Sequence, residues 1–427
     1  MKIILQNFRS LCGPHQVSLK PLTVLVGENS SGKSTFLASL AHLYSLKFPQ
    51  FRPSFNVPPF DLGTYDSIAT YKGGKFGRAK FFSLGFEVGQ GNRKILVRAT
   101  YVNSEGQPQL SRFRAKQGAT ELRFEADTPS RNGKITLMAP GLSPITVAAE
   151  SRYMNLREST FPLSILIDRI ILAKKNKLRP KVLQALDHIM SSIYHLRNFS
   201  PALALAPVRT KPRRTYDPVS DEFKPEGDHI PVILARLWDQ PEEPQSKSTI
   251  SSLKRFGRDS SLFEDIEVRR LGKRPNDPFQ VLVNIAGPAA NLLDVGYGVS
   301  QSLPIIVDSS LSAKDRLVLL QQPEIHLHPR GQAALGSFLV HAVAKQKKSI
   351  VVETHSDYLL DRIRYEVAQR NIEFKDVLIL FFEKQNIETT IHEIKLDSGG
   401  NILDAPSSYR RFFLEEDTRV LFRTKRR

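Results

Sequence analysis

Hydrophobic positions in this chain follow two periods, and the blocks in which each holds divide it. Ile3 and Leu5 alternate with polar neighbours, as do Val17 and Leu19, which predicts two short strands. Leu22-Thr23-Val24-Leu25-Val26 is a continuous apolar run and predicts a buried strand. Phe36, Leu37, Leu40, Leu43 and Leu46 then fall at helical spacing. Residues 48–63 hold too much proline for one long helix. From Lys80 to about Ile145 the period is two, with Phe82, Leu84, Phe86 and Val88 followed by Ile95, Val97 and Ala99. Gly89-Gln90-Gly91-Asn92 and Asn103-Ser104-Glu105-Gly106 supply turns, so this block reads as antiparallel hairpins. Leu163 to Leu196 reads as helix broken at Pro180, with Val182, Leu186, Ile189, Ile193 and Leu196 on one face. Arg209 to Pro231 reads as loop and Lys254 to Arg270 as a helix pair. The last third alternates strands (318–320, 349–352, 377–382) with helices (332–344, 358–370).

The strand and helix at 22–46 enclose Gly27-Glu28-Asn29-Ser30-Ser31-Gly32-Lys33-Ser34, followed by Thr35. This fits the phosphate-binding pattern G-x-x-x-x-G-K-[ST] without a mismatch. Gly27, Asn29, Ser30, Ser31 and Gly32 would close backbone N–H groups around phosphate, and the helix terminus adds positive charge. Lys33 would reach the β- and γ-phosphates, the Ser34 hydroxyl would ligate Mg²⁺, and Thr35 continues the helix start. A serine-rich turn matching by chance would not need both flanks to be right. The chain is expected to bind ATP with Mg²⁺, in one nucleotide-binding fold whose later strands follow residue 290.

Composition sharpens this in one respect. Against 43 Asp+Glu stand 61 Lys+Arg, a formal charge of +18, which suggests an anionic partner such as nucleic acid, although a solvated basic surface gives the same sum. The single cysteine, Cys12, excludes an intramolecular disulfide framework and a Cys-based zinc site. No secretory segment follows Met1, and the apolar stretch 161–173 is too short to span a bilayer, so a cytoplasmic protein without membrane partners is expected.

Three later stretches define the site further. They are Asp294-Val295-Gly296-Tyr297-Gly298-Val299-Ser300-Gln301, then Leu317 to Pro329 (LVLLQQPEIHLHP), and Val351-Val352-Glu353-Thr354-His355-Ser356. With the phosphate loop and the opening Ile3 to Ser10, they resemble the soluble ABC-type ATPases of the AAA family, the SMC-like, RecF-like and OLD-like branch. The resemblance covers roughly residues 1–50 and 290–400, with a weaker match at Pro207-Val208-Arg209 and at 212–216. It implies an α/β fold: an ABC-ATPase head, or P-loop NTPase, split by an antiparallel β lobe and a helical insertion. The expected division is 1–75 for the first half of the core, 76–160 for the β lobe, 161–289 for the insertion and 290–427 for the second half.

Roles carry over from the resemblance one position at a time. Gly296 and Gly298 are similar to the signature loop, which implies a head-to-tail dimer with ATP between two copies; the usual signature serine is Gly296 here. His355 stands where the switch histidine of the family stands. The Walker B segment departs from the family, because Gln321 occupies the Mg²⁺-associated acid's position and Gln322 that of the water-polarising glutamate. A neutral amide is a poor general base. Glu324 is the acid of this stretch, which leaves two readings: slow hydrolysis with Glu324 and His355 orienting water, or ATP held as a structural or sensory ligand. His326 and His328 flank Leu327, and the family's similar run mediates dimer contacts, which is preferred to metal binding.

Arg209, Lys211, Arg213 and Arg214, with Tyr216, form a basic cluster open to three readings: nucleic acid, nucleotide or interface, and solvated surface. Further basic runs lie at Lys174 to Lys181 and Arg423 to Arg427. About 70 residues follow His355, without an acidic cluster of nuclease type, so no built-in nuclease is expected. Resemblance to ATPase subunits of two-gene systems, the Septu type in particular, implies an effector partner, an HNH-type nuclease, in anti-phage defence. The alternative is a RecF- or SMC-like DNA-binding ATPase of repair or chromosome maintenance.

Overall fold

The computed structural model describes residues 1–47, 52–74, 77–127, 132–149, 179–194, 200–274, 276–314 and 316–409. The chain forms two compact units. One comprises 1–19, 29–201 and 383–391, and the other 20–28, 202–382 and 392–427.

The first unit is built on an antiparallel sheet of eight strands. β1 (Lys2–Gln6) and β2 (His15–Ser18) pair with each other, and β1 pairs with β6 (Phe82–Val88). From β6 the sheet runs as a meander through β7 (Ile95–Ser104), β8 (Gln107–Gln117), β9 (Thr120–Asp127), β10 (Asn132–Ala139) and β11 (Leu142–Ala149). Period-two alternation decides which face is covered: in β7, Ile95, Val97, Ala99 and Tyr101 are buried while the residues between them are half-exposed. The turn Glu105-Gly106 has positive φ at both positions, the twist that two-residue hairpins require. Phe8, Phe55, Tyr65 and Tyr101 gather around the buried Phe82. This unit also holds α1 (Lys33–Ala41), the short pair β4 (Asn56–Val57) and β5 (Phe60–Asp61), α2 (Tyr65–Ile68) and α3 (Arg179–Tyr194). The helix expected over 163–196 is described only from Arg179, as α3; its first half, and the basic residues at 174–177 and 423–427, fall outside the described residues.

The second unit centres on parallel strands. β12 (Leu203–Leu205), β16 (Leu317–Gln321), β17 (Ser349–Glu353), β3 (Leu22–Gly27) and β18 (Val377–Gln385) lie side by side in that order. β19 (Glu388–Leu396) and β20 (Ile402–Leu403) complete the sheet. β3 is buried at every position, the mark of a parallel strand covered on both faces. Helices α4 (Ile230–Asp239), α5 (Pro244–Ser260), α6 (Tyr297–Leu311), α7 (Pro329–Ala344) and α8 (Asp357–Ala368) contribute to its core, with Leu234, Phe256, Leu303, Leu335 and Ile363 buried against Val24, Val318 and Val352.

One expectation is corrected here. Lys254 to Arg270 is not a helix pair: α5 ends at Ser260, Ser261 turns left-handed, and Asp265–Arg270 is strand β13. Ile266 and Val268 alternate with charged residues, and β13 pairs with β14 (Phe279–Asn284), which in turn pairs with β15 (Ala290–Asn291). The charges had masked a period of two. No helix among the described residues is long and apolar enough to cross a membrane.

Candidate functional site

β3 delivers the chain into the phosphate loop, and the loop's backbone explains its glycines. Gly27 has φ +142°, and a Cβ there would stand 2.4 Å from the carbonyl oxygen of Phe382, its ladder partner on β18. Ser30 turns left-handed at φ 59°. Gly32, at φ 101°, caps α1, and a Cβ on it would lie 2.8 Å from the Ser10 hydroxyl. No side chain caps this helix and no acid stands in its first turn, which suits the terminus to an anion. Ser31 is wholly buried, its hydroxyl without a hydrogen-bond partner. Lys33 is buried and begins α1, followed by Ser34 and Thr35.

Thr389, at the tip of the β18–β19 hairpin, holds this loop. Its hydroxyl donates to the Ser31 carbonyl at 2.8 Å, and its amide donates to the Ser10 carbonyl at 2.9 Å. Sequence reasoning passed over both Thr389 and Ser10, since nothing local to them marks a role. A loop with three positive-φ positions, an unpartnered buried hydroxyl and a lysine at the helix start fits a triphosphate.

In the second unit, the carboxyl ends of β16 and β17 carry the remaining candidates. Gln321 is the last residue of β16; Gln322 follows at φ 42°, its amide donating to the Glu353 carbonyl at 2.9 Å. Glu324 is turned into the protein, 5% exposed, with Oε1 accepting from the His355 amide at 2.8 Å. Its Oε2 has no hydrogen-bond partner. Burial pushes its carboxyl pKa up, against the His355 amide, the Thr354 hydroxyl and the Arg209 charge. Arg209 is 3% exposed, and none of its guanidinium nitrogens has a hydrogen-bond partner. Burial lowers its pKa to about 10, opposed by Glu324. The Arg209 carbonyl accepts from Nε2 of the buried Gln301 at 3.5 Å.

His355 is exposed at the end of β17, between Thr354, whose amide donates to the Leu25 carbonyl at 3.1 Å, and Ser356, which caps α8. Gly296 caps α6 and Gly298 lies in its first turn, where a Cβ would meet the His326 carbonyl at 2.9 Å. His328 caps α7 by accepting from the Gly331 amide, and the His326 ring stands edge-on to Tyr297. No cluster of three or more His, Cys, Asp or Glu able to hold a metal occurs among the described residues.

Residues 1–100 match the family model described as "AAA ATPase domain", and residues 180–361 match "AAA domain, putative AbiEii toxin, Type IV TA system". Over these two stretches the chain is similar to AAA-type ATPase domains. It is 21% identical over 384 residues to an OLD nuclease of Thermus scotoductus, a match that covers 86% of this chain and 61% of that protein's length. Among solved structures it is similar to an SMC head bound to the C-terminal winged-helix domain of ScpA (TM-score 0.44, 11% identity, 93% of this chain and 97% of that one). A second is the SMC head domain of Thermotoga maritima (TM-score 0.38, 12% identity, 92% and 98%).

The basic cluster is divided by the fold. Arg209 is interior, and Arg214 makes two bonds to Asp294, at 2.9 and 2.7 Å. The Tyr216 ring stacks on Phe279 with centroids 5.8 Å apart, and its hydroxyl accepts from the Arg213 amide, so that face is already occupied. Lys211 and Arg213 remain on the surface.

Proposed function

We propose that the protein binds ATP with Mg²⁺ at the phosphate loop and hydrolyses it slowly or scarcely. The observation that carries this reading is the pairing of a complete phosphate loop with glutamines at both Walker B positions. Lys33 and the loop amides supply charge and N–H donors, with Ser34 and Gln321 on the side of the metal. Bound Mg²⁺ would neutralise phosphate charge. Glu324 holds the backbone of His355, and this chain's own contribution to orienting water rests on His355, Glu324 and Gln322. Catalysis by a positioned carboxylate base is worth about 10²–10⁴-fold, which Gln322 does not supply.

Such a subunit reports nucleotide state to a second protein. We assign it to control of an HNH-type nuclease effector in anti-phage defence, working as a head-to-tail dimer that closes over ATP through Gly296 and Gly298. The charge of +18 favours a second reading, a RecF- or SMC-like ATPase that clamps DNA. The test is ATP binding and steady-state phosphate release by the purified protein, with and without DNA. Tight binding with almost no release, abolished by Lys33→Ala, supports the first reading. DNA-stimulated turnover supports the second, and undiminished affinity in Lys33→Ala would falsify nucleotide binding at this loop.

A further inference from the structure

We propose that the cleft between α5, α7 and α8 binds single-stranded nucleic acid, with phosphates on Arg255, Arg258, Arg330 and Lys345 and a base on Tyr365. The inference deepens the second reading above and rests on it for the class of partner; it does not depend on the phosphate loop. The cleft lies wholly within the second unit and has a volume of about 600 Å³. α5 contributes Arg255 and Arg258, α7 contributes Arg330 and, just past its last turn, Lys345, and α8 contributes Arg362. Two acids, Asp259 and Glu366, stand against these five cations.

The acids leave most of this charge uncompensated. Glu366 accepts from the Ser337 hydroxyl and from the Asn371 side-chain amide, both at 2.6 Å, so neutral donors occupy its oxygens. Arg330 donates to the Asp259 carbonyl at 3.0 Å and Arg362 to the Ser337 hydroxyl at 3.1 Å, which are neutral acceptors. The ion pairs of α5 and α8 are made by Lys254 with Asp265 and by Arg364 with Asp361; among the described residues none engages the five cations of the cleft. Burial, and then the charges of Arg255 and Lys345, lower the pKa of His341 on the same wall, as an uncompensated positive field does.

The layout suits a chain of phosphates more than one small anion. Arg330 and Lys345 stand at the two ends of α7, about 22 Å apart along its axis at 1.5 Å per residue. Arg255 and Arg258, at i and i+3 on α5, are neighbours on its surface. Four of the five cations are guanidinium groups, whose planar fork matches phosphate oxygens. Tyr365 favours nucleic acid over an acidic polypeptide. It is 56% exposed, with the Arg362 guanidinium of the cleft 5.8 Å from its ring centroid. An exposed ring beside a phosphate-binding wall is a stacking platform for an unpaired base, which a chain of carboxylates has no use for.

The test is fluorescence anisotropy with a labelled mixed-sequence DNA single strand, and with its duplex, over a salt series; thermal unfolding reports that each variant is folded. Arg255→Ala/Arg258→Ala should weaken single-strand binding about tenfold or more. It should also lower the slope of log affinity against log salt by about 1.4, two phosphate contacts at about 0.7 each. Tyr365→Ala should weaken binding roughly fivefold or more with the slope unchanged, and Tyr365→Phe should keep parental affinity. Lys211→Ala/Arg213→Ala removes the same charge from another exposed stretch of this unit and should leave the slope near its parental value. An equal loss in that control would overturn the site in favour of charge at large. Parental affinity in Tyr365→Ala, with polyglutamate displacing the strand as readily as unlabelled DNA does, would overturn nucleic acid in favour of an acidic polypeptide. A parent that binds only duplex, or a single strand held undiminished by Arg255→Ala/Arg258→Ala, overturns this inference and leaves the second reading standing. A parent that binds neither form overturns both.

Discussion

Replacing Thr389 by valine removes a single hydroxyl from the tip of the hairpin and keeps the branched shape that suits a strand. The Ser31 carbonyl then loses a buried 2.8 Å hydrogen bond, while the Thr389 amide still donates to Ser10 at 2.9 Å, so the hairpin stays docked on β1's loop. A neutral buried bond has a net worth of about 1 kcal/mol, rising toward 3 kcal/mol when the acceptor is left unsatisfied. The cost falls on residues 29–32, whose conformation depends on positive φ at Ser30 and Gly32 and has no helical ladder of its own. If nucleotide binding needs that conformation in advance, a penalty of about 1–2 kcal/mol weakens ATP affinity by roughly 5- to 30-fold. Titration calorimetry with ATP and Mg²⁺ reads this directly, with Thr389→Ser as the control that keeps the hydroxyl. Parental affinity in Thr389→Val would refute the argument, and so would an equal loss in Thr389→Ser.

Other consequences follow from buried titratable groups and the glutamine pair. His42 is 3% exposed against Phe55, and burial lowers its pKa to about 4 against the Phe55 backbone bond. The unfolded chain takes up that proton near pH 6.5 and the folded chain near 4, so stability is full above 6.5 and falls by about 3 kcal/mol on acidification to 4. Urea denaturation at pH 7 and pH 4.5 should show His42→Phe losing much of that acid sensitivity. Arg209 and Glu324 act on each other inside the protein, so Arg209→Met and Glu324→Gln should each destabilise, and the double variant should be more stable than the sum by at least about 1 kcal/mol. Additivity within about 0.5 kcal/mol in a double-mutant cycle would mean that the two are energetically separate. Gln321→Asp/Gln322→Glu should raise phosphate release by about 10²-fold if the absent carboxylates limit hydrolysis. Unchanged single-turnover rates would place the limit in geometry.

Much of the fold was legible because its signals are local. The apolar run 22–26, the hairpin turns at 89–92 and 103–106, and the strands near 318, 349 and 377 each carry their period within a few residues, and each forms a strand or turn where expected. The phosphate loop was legible for the same reason, being a motif of fixed spacing. What failed depended on partners distant in sequence. β13 hides its alternation among charges, and only its pairing with β14 makes it a strand. Thr389 lies 358 residues from the Ser31 carbonyl it holds, and no period connects them. Arg209 read as one of four clustered cations open to a nucleic-acid, a nucleotide or interface, or a solvated role; its burial beside Glu324 is a tertiary fact.

On the proposed reading, the site keeps what nucleotide binding needs and lacks what turnover needs. Glu324 is turned inward, where one oxygen fixes the amide of His355 and the other lies unpaired in the interior. It does not stand at Gln322, the position proposed for the attacking water's base, whose backbone is held at φ 42°. The phosphate loop, by contrast, keeps its glycines, its lysine and the clamp from Thr389. On that reading affinity depends on the phosphate loop, whereas acceleration of hydrolysis depends on a base whose pKa and position match the water. A site that keeps the first and lacks the second holds its nucleotide for long periods, and a long-lived bound state is what a subunit needs if nucleotide is to act as a signal to a partner. On this argument, Gln322→Glu should shorten the lifetime of bound ATP without weakening its affinity in EDTA. Weaker affinity with unchanged turnover would show that binding and hydrolysis share the residues assigned here to only one of them.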